Sequence, residues 1–212
     1  EDDKAAARRL NQLTGPFLLR RMKADVLKEL PPKTENIHRI ELDTDQRKLY
    51  LAAVVDAREK LRAAKPEDKM AVFAVLMRLR EICCDPRLVA DNWEGGSAKL
   101  EACMELVTAA VEGGHRILLF SQFTSMLELL AKRLDEAGVS HFTLQGSTPK
   151  PVRAELVRRF NSGEADVFLI SLRAGGTGLN LTAADIVIHY DPWWNVAAQN
   201  QATDRAYRIG QR

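Results

Sequence analysis

The chain has 212 residues, 46% hydrophobic and 28% charged, with a formal net charge of +2. That composition fits a globular protein of one large domain, or one domain with an appendage. The near balance of charge means that contact with nucleic acid has to come from a local patch, not from overall basicity. Three cysteines, Cys83, Cys84 and Cys103, give neither a disulfide framework nor zinc-ligand spacing, so they are read as reduced core residues of an intracellular protein. No apolar run reaches the roughly 18 residues that a membrane span needs, and no signal peptide opens the chain. The start at Glu1-Asp-Asp-Lys4 and the end inside a motif read as cut edges of a longer polypeptide.

Residues 1–30 are basic and helical in period, with the run Phe17-Leu-Leu-Arg-Arg-Met-Lys23 and a stop at Pro31-Pro32. Alternation over Asn36-Ile-His-Arg-Ile-Glu-Leu42 predicts a half-buried strand. A helix is predicted from Asp43, paired with Gln46 at its cap, to about Ala64, with Tyr50, Val54, Ala57 and Leu61 inward. Pro66 opens a second helix carrying Val72, Val75, Leu79 and Ile82, with Met70, Phe73 and Met77 as core, and Asp85-Pro86 ends it. The pattern breaks at Asp91-Asn-Trp-Glu-Gly-Gly96, where the main boundary is placed.

Beyond the break, helices alternate with short β-rich runs. Ser97 caps a helix with Leu100, Cys103, Val107 and Ala110 inward, stopped by Gly113-Gly114. Arg116–Ser121 is a continuous apolar run, as expected of a strand covered on both faces. Ser125 and Glu128 form a capping box for a helix through Met126, Leu130 and Leu134, ended by Gly138. His141–Leu144 is the next strand. Thr148-Pro149 begins a helix with Val152, Leu156 and Phe160 inward. Asp166–Ser171 and Asp185–Tyr190 are strands, and a last helix holds the terminal motif. This alternation predicts an α/β fold with a doubly wound parallel sheet and helices on both faces.

Ligands of such sheets gather in the loops after the strands. Those loops are Ser121-Gln122, then Gln145-Gly-Ser-Thr148, then Ser171–Leu181 with Gly175, Gly176 and Gly178, then Asp191-Pro-Trp-Trp-Asn195. Glycine turns and helix starts present backbone amides to phosphates. The glycines lack the Gly-Lys-Ser/Thr of a P-loop and miss the dinucleotide spacing, since the third glycine falls on Leu181. In the terminal stretch Gln201–Arg212, Arg205 and Arg208 stand three apart, so a helix would put both guanidiniums on one face. An isolated Arg-x-x-Arg pair is ordinarily a solvated face. Four phosphate-type loops on the same sheet edge make it a candidate phosphate clamp, for which the planar, always-charged fork is suited.

Together these segments resemble the second RecA-like lobe of helicase superfamily two, in its Swi/Snf branch of ATP-driven DNA translocases. Gln201–Gln211 resembles motif VI, Ser171–Asn195 motif V and its extension, Arg116–Phe123 motif IV, and Gln145–Thr148 with Arg153 and Phe160-Asn161 motif IVa. Phe17–Lys33 resembles the segment where the first lobe ends, and Ile82-Cys-Cys-Asp-Pro86 lies in the helical insertion of this branch. Gln145 stands where the family usually has an acid, and Pro149 and Pro151 alter the turn after it.

The resemblance implies residues 1–43 as the tail of the first lobe with its linker, 44–96 as the helical insertion, and 97–212 as the RecA-like lobe. It implies Arg205 and Arg208 as arginine fingers on the γ-phosphate of ATP held by the other lobe. Gln201, Asp204, Gly175, Gly176, Thr177 and Gly178 would couple the nucleotide to motif V. Ser121, Gln122, Gly146, Ser147, Thr148, Arg173 and Trp194 would track the DNA backbone, which carries little sequence information. The implied cofactor is ATP with Mg2+, the metal held by the first lobe and not by this chain. The implied partners are double-stranded DNA, the first lobe of the same polypeptide and DNA-bound proteins, around a monomeric, DNA-associated motor. The 212 residues by themselves are expected not to hydrolyse ATP, for want of the P-loop lysine and acidic box. The alternatives are a non-catalytic nucleic-acid or partner-binding module on a helicase-like lobe, and a strand-separating helicase.

Overall fold

A computed structural model of the chain describes residues 5–6, 9–10, 13–14, 34–63, 68–175, 179–192 and 196–206. The chain forms two compact units, residues 1–33 and 34–212. In the first, the described residues are helical, and Thr14 donates its hydroxyl back to the Leu10 carbonyl at 2.8 Å. The basic run 17–33 lies outside the described residues.

In the second unit the order is α1 (Thr44–Ala63), α2 (Lys69–Cys84), a 3-10 turn (Pro86–Leu88), α3 (Ala98–Glu112), β1 (Ile117–Ser121), α4 (Thr124–Glu136), β2 (His141–Leu144), α5 (Lys150–Asn161), β3 (Val167–Ser171), α6 (Leu172–Gly175), β4 (Ile186–His189) and α7 (Val196–Thr203). The strands make one sheet in the order β2-β3-β1-β4, every pairing parallel, with Leu119 opposite Leu169 and Ile188. The predicted doubly wound α/β architecture is therefore the one found.

Side-chain alternation along the strands sorts the core into two layers. Ile117, Leu119, Val167 and Leu169 join Leu100, Val107, Met126, Leu130 and Leu134 from α3 and α4 on one face. Leu118, Phe120, Phe168 and Ile170 join Phe160, Leu179, Leu181, Ala202 and Ala206 on the other. Central β1 and β3 are buried at all five positions, and β4, at the edge of the described sheet, is half-buried throughout. The continuous apolar runs read from sequence reflect this burial on both faces. Gly114 and Gly138 close α3 and α4 with φ of 80° and 68°, a left-handed turn that glycine adopts without strain.

Several local expectations are corrected. Residues 36–42 form no strand; Ile37 is 85% exposed, and no edge pairs with the segment, so alternation alone had nothing to bury against. Asp43 does cap α1 through Gln46 N at 2.8 Å, but the Gln46 side chain turns inward to the Ile82 carbonyl at 2.7 Å. Of the stripe on α1 only Ala57 is buried, and Leu61 is exposed. Met70, Phe73 and Val72 on α2 are exposed, Met70 at 74%, because a two-helix hairpin offers each helix one narrow buried stripe. Asp68, not Pro66, caps α2, accepting from Met70 N and Ala71 N. Ser97 and Ser125 make no side-chain cap. Ser97 donates instead to the Cys84 carbonyl at 3.2 Å, and α4 begins at Thr124, after Phe123 and two residues earlier than a Ser125 cap would give. Val152 on α5 is exposed, and Lys150, not Thr148, begins that helix.

Candidate functional site

Because all four strands run parallel, their carboxyl ends lie along one sheet edge, and the loops 121–123, 145–149, 172–185 and 190–195 leave from it. The edge is stitched together by polar contacts between those loops. Gln122 N donates to both Asp191 carboxylate oxygens, at 3.1 and 3.3 Å, joining the first loop to the last. Ser121, fully buried, accepts from Phe123 N at 3.1 Å, and its hydroxyl stands between the Phe123 carbonyl and the Asp191 carboxylate. Thr148 Oγ1 accepts from Gln145 N at 3.0 Å, while Gly146 and Ser147 are exposed. A Cβ at Gly146 would meet open space, so this position faces outward without a steric need for glycine.

The segment after β3 is held from two sides. Arg153 Nη1 donates to the Ala174 carbonyl at 3.3 Å. Asn161 Nδ2 donates to the Asn180 carbonyl at 2.8 Å, and Asn161 Oδ1 accepts from Ala183 N at 3.3 Å. Leu181 N then donates to the Arg205 carbonyl at 3.1 Å, and Leu179, Leu181, Ala202 and Ala206 share one apolar layer. The motif V segment and the terminal motif thus meet through a backbone hydrogen bond and a common core. His189 Nε2 lies 3.0 Å from Thr203 Oγ1. The Thr203 hydroxyl hydrogen goes to the Gln199 carbonyl, so His189 Nε2 is the donor. His189 is also stacked on Phe120 at 5.5 Å.

The terminal motif corrects one geometric expectation. Helix α7 ends at Thr203, and Asp204, Arg205 and Ala206 form turns, with Arg205 N on Ala202 O and Ala206 N on Thr203 O. Arg205 is 3% exposed, so it does not leave from a solvent-facing side of a continuous helix. Gln201 is exposed and Asp204 half-buried. Gly175 closes α6. Arg208, Gly176, Thr177, Gly178 and Trp194, together with the side chain of Arg173, lie outside what is described.

Residues that the sequence did not single out also stand at this edge. Asp191 is 2% exposed in its side chain and burial pushes its carboxyl above the usual carboxylate range, opposed by hydrogen bonds from Ser121 and Gln122 and by the cations Lys99 and Arg80. Arg80, from α2, lies against the same carboxylate. Tyr190 donates to the Cys84 carbonyl at 2.8 Å beneath Lys99, and burial pushes its phenol up. Burial likewise pushes the Cys84 and Cys103 thiols up to about 12, so they stay protonated, as core residues do. Among the described residues no three His, Cys, Asp or Glu side chains come together to hold a metal ion. No helix among them is long and apolar enough to cross a membrane.

A parallel sheet wound on both faces, with phosphate-type loops along one edge and the Arg205 turn bonded to the segment after β3, defines a RecA-like lobe. The family model of the helicase conserved C-terminal domain matches residues 98–210, and that of the SNF2-related domain matches residues 1–88. The chain belongs to the helicase conserved C-terminal domain family. It is 41% identical over 218 residues to the putative ATP-dependent helicase/translocase YwqA of Bacillus subtilis, covering 99% of this chain and 24% of that protein. It is 37% identical over 224 residues to the human SWI/SNF-related matrix-associated actin-dependent regulator of chromatin subfamily A member 1, covering 99% of this chain and 21% of that one. Among solved structures, the Sulfolobus solfataricus SWI2/SNF2 ATPase core in complex with dsDNA superposes with a TM-score of 0.74 at 29% identity, covering 97% of this chain and 44% of that chain. The chain thus spans about a fifth to a quarter of the length of the curated relatives it matches.

Proposed function

We propose that the chain is the second motor lobe of an ATP-dependent double-stranded DNA translocase, supplying arginine contacts to the nucleotide and backbone contacts to DNA. The observation that carries this reading is the joint between the two motifs, Leu181 N on Arg205 O over a shared apolar layer. A group that grips DNA and a group that senses nucleotide have to move together in a motor, and a shared rigid joint makes them one body. The domain reading follows: 1–43 as first-lobe tail and linker, 44–96 as helical insertion, 97–212 as the lobe.

ATP with Mg2+ would bring the γ-phosphate, whose charge grows as it transfers; the described residues of this chain offer that phosphate no metal site, only donors. Burial of Arg205 divides the labour of the pair. Arg208 supplies the γ-phosphate contact, and Arg205, held in the turn by its backbone, positions it and meets phosphate as that turn adjusts on lobe closure. Gln201 and Asp204 flank the turn, and Gly175, Gly176, Thr177 and Gly178 carry the change to the DNA side. There Gln122, Gly146, Ser147, Thr148, Arg173 and Trp194 are the residues assigned to the phosphodiester backbone, with buried Ser121 shaping its loop. Such contacts read backbone and not bases, which suits stepping along any sequence. A relative solved with dsDNA and a relative named helicase/translocase both support this reading.

The test is steady-state ATP turnover of the full-length protein with and without duplex DNA. Stimulation by duplex of arbitrary sequence is expected, and the 212-residue chain alone should show no turnover. Full-length protein that binds duplex without any turnover would favour the non-catalytic module instead.

A further inference from the structure

Arg80 lies on α2, in the helical hairpin, far in sequence from every loop of the sheet edge. Its guanidinium nevertheless reaches two of them. Nη1 donates to Gln122 Oε1 at 3.2 Å and Nη2 to the Pro192 carbonyl at 3.0 Å, with Asp191 Oδ2 3.8 Å from Nη2. Its side chain is 19% exposed and that of Asp191 is 2% exposed, so the pair is shielded from bulk water and from much of its screening. Gln122 closes the figure, because its backbone N–H is bound to the same Asp191 carboxylate. Three segments are thereby fastened at one point: α2, the loop after β1 and the loop after β4.

The orientation of the Gln122 amide follows from chemistry. A guanidinium only donates, so the amide atom facing Arg80 is the oxygen, and the NH2 group is turned the other way. Among the described residues that Nε2 has no hydrogen-bond partner, although it is covered. A covered donor without an acceptor is unfavourable, and a free side chain would relieve it by turning over. Arg80 opposes that turn, since a flipped amide would press an NH2 donor against the guanidinium.

We infer that Arg80 is a positioning residue for the DNA-facing loops, holding Gln122 with its amide donor reserved for a phosphodiester oxygen of the duplex and fixing the Pro192 loop beside it. This rests on the DNA-binding reading above. The helical hairpin then does more than decorate the lobe: it sets the geometry of the grip through one side chain. Lysine cannot replace it fully, because a single ammonium does not span both acceptors as a planar fork does.

The experiment uses the full-length protein and a short fluorescent duplex, measuring the DNA concentration that half-saturates binding and ATP turnover, and kcat at saturating DNA. Arg80→Gln and Gln122→Ala are each expected to raise half-saturation about tenfold, with kcat at saturating DNA kept within about twofold. The double variant should lose far less than the product of the two single losses, exceeding Gln122→Ala only by what the Pro192 contact adds, about threefold at most. Arg80→Lys should give a smaller rise, about threefold, and serves as the test if Arg80→Gln does not fold.

Additive losses, near hundredfold in the double variant, would overturn the inference. So would unchanged half-saturation with lowered kcat and Tm, which marks a purely structural arginine. Weakening in Gln122→Ala with wild-type behaviour in both Arg80 variants would overturn the role of Arg80 and leave the DNA reading standing. A wild-type protein indifferent to duplex would overturn the DNA reading itself.

Discussion

Replacing Arg208 by alanine in the full-length protein is expected to lower duplex-stimulated ATP turnover by about 10³-fold or more, with DNA affinity changed by less than about threefold. An arginine finger delivered across an interface is typically worth about 10³–10⁵ in rate, because it meets charge that develops only as the phosphoryl group transfers. Its removal should therefore appear in kcat and not in ground-state binding. Arg205→Ala should lower turnover as well, but with a different signature. Arg205 is buried, and its carbonyl anchors Leu181 of the glycine-loop segment. Loss of its side chain leaves a void against that joint, so a drop in Tm should accompany the loss of rate, whereas Arg208→Ala should melt like the wild type. Equal losses of DNA affinity and turnover in Arg208→Ala would contradict the finger assignment.

The second large effect concerns stability. Phe168, the second residue of β3, has no exposure and stands opposite Leu118 on β1 and Phe142 on β2. Its ring packs on Phe160 at 5.2 Å and edge-on against Phe142 at 6.1 Å. Truncation of a phenylalanine so placed costs about 3–5 kcal/mol, the transfer term plus the cavity, against a total of about 5–15 kcal/mol for a domain. Urea unfolding of Phe168→Ala should show a midpoint lowered accordingly with little change in slope. Val152→Ala on the exposed side of α5 should lie within about 0.5 kcal/mol of the wild type. Because the same apolar layer holds Leu181, Ala202 and Ala206, the Phe168 variant should also lose turnover at temperatures where it remains folded. A shift under about 1 kcal/mol would mean that this layer is not what carries the joint.

The sheet was legible in the sequence because strands buried on both faces have to be apolar without interruption. Arg116–Ser121 and Asp166–Ser171 could satisfy no other position in an α/β fold, and the structure places β1 and β3 there. Helix ends at Gly114 and Gly138 were legible for an equally local reason, the left-handed turn each glycine takes. The failures share a different cause. Whether Ser97 caps its helix or turns to Cys84, and whether Met70 and Phe73 are covered, depends on neighbours that no local pattern encodes. The alternation of 36–42 specified a strand but could not supply an edge to pair with.

The site was legible in the same uneven way. Four loops of phosphate-binding composition could be placed on one edge, since parallel strands demand it. The fastening of those loops could not. Arg80 meets Gln122 across 42 residues and Pro192 across 112, separations at which only the folded topology brings side chains together. The end of α7 at Thr203 was equally hidden, because Asp204, Arg205 and Ala206 are acceptable helix residues. At that end the Arg205 carbonyl accepts from Leu181 N, a tertiary contact that no local pattern encodes. That contact puts Arg205 in a buried joint and not on a solvated helix face.

Displacement of a third strand from a triplex by the full-length protein tests the central claim most directly, since it reports movement along a duplex without requiring strand separation. The wild-type protein with ATP should displace the third strand from duplexes of unrelated sequence while leaving the duplex strands paired, and Arg208→Ala should not. Duplex unwinding under the same conditions, or displacement that persists in Arg208→Ala, would contradict a translocating motor whose second lobe acts through that arginine.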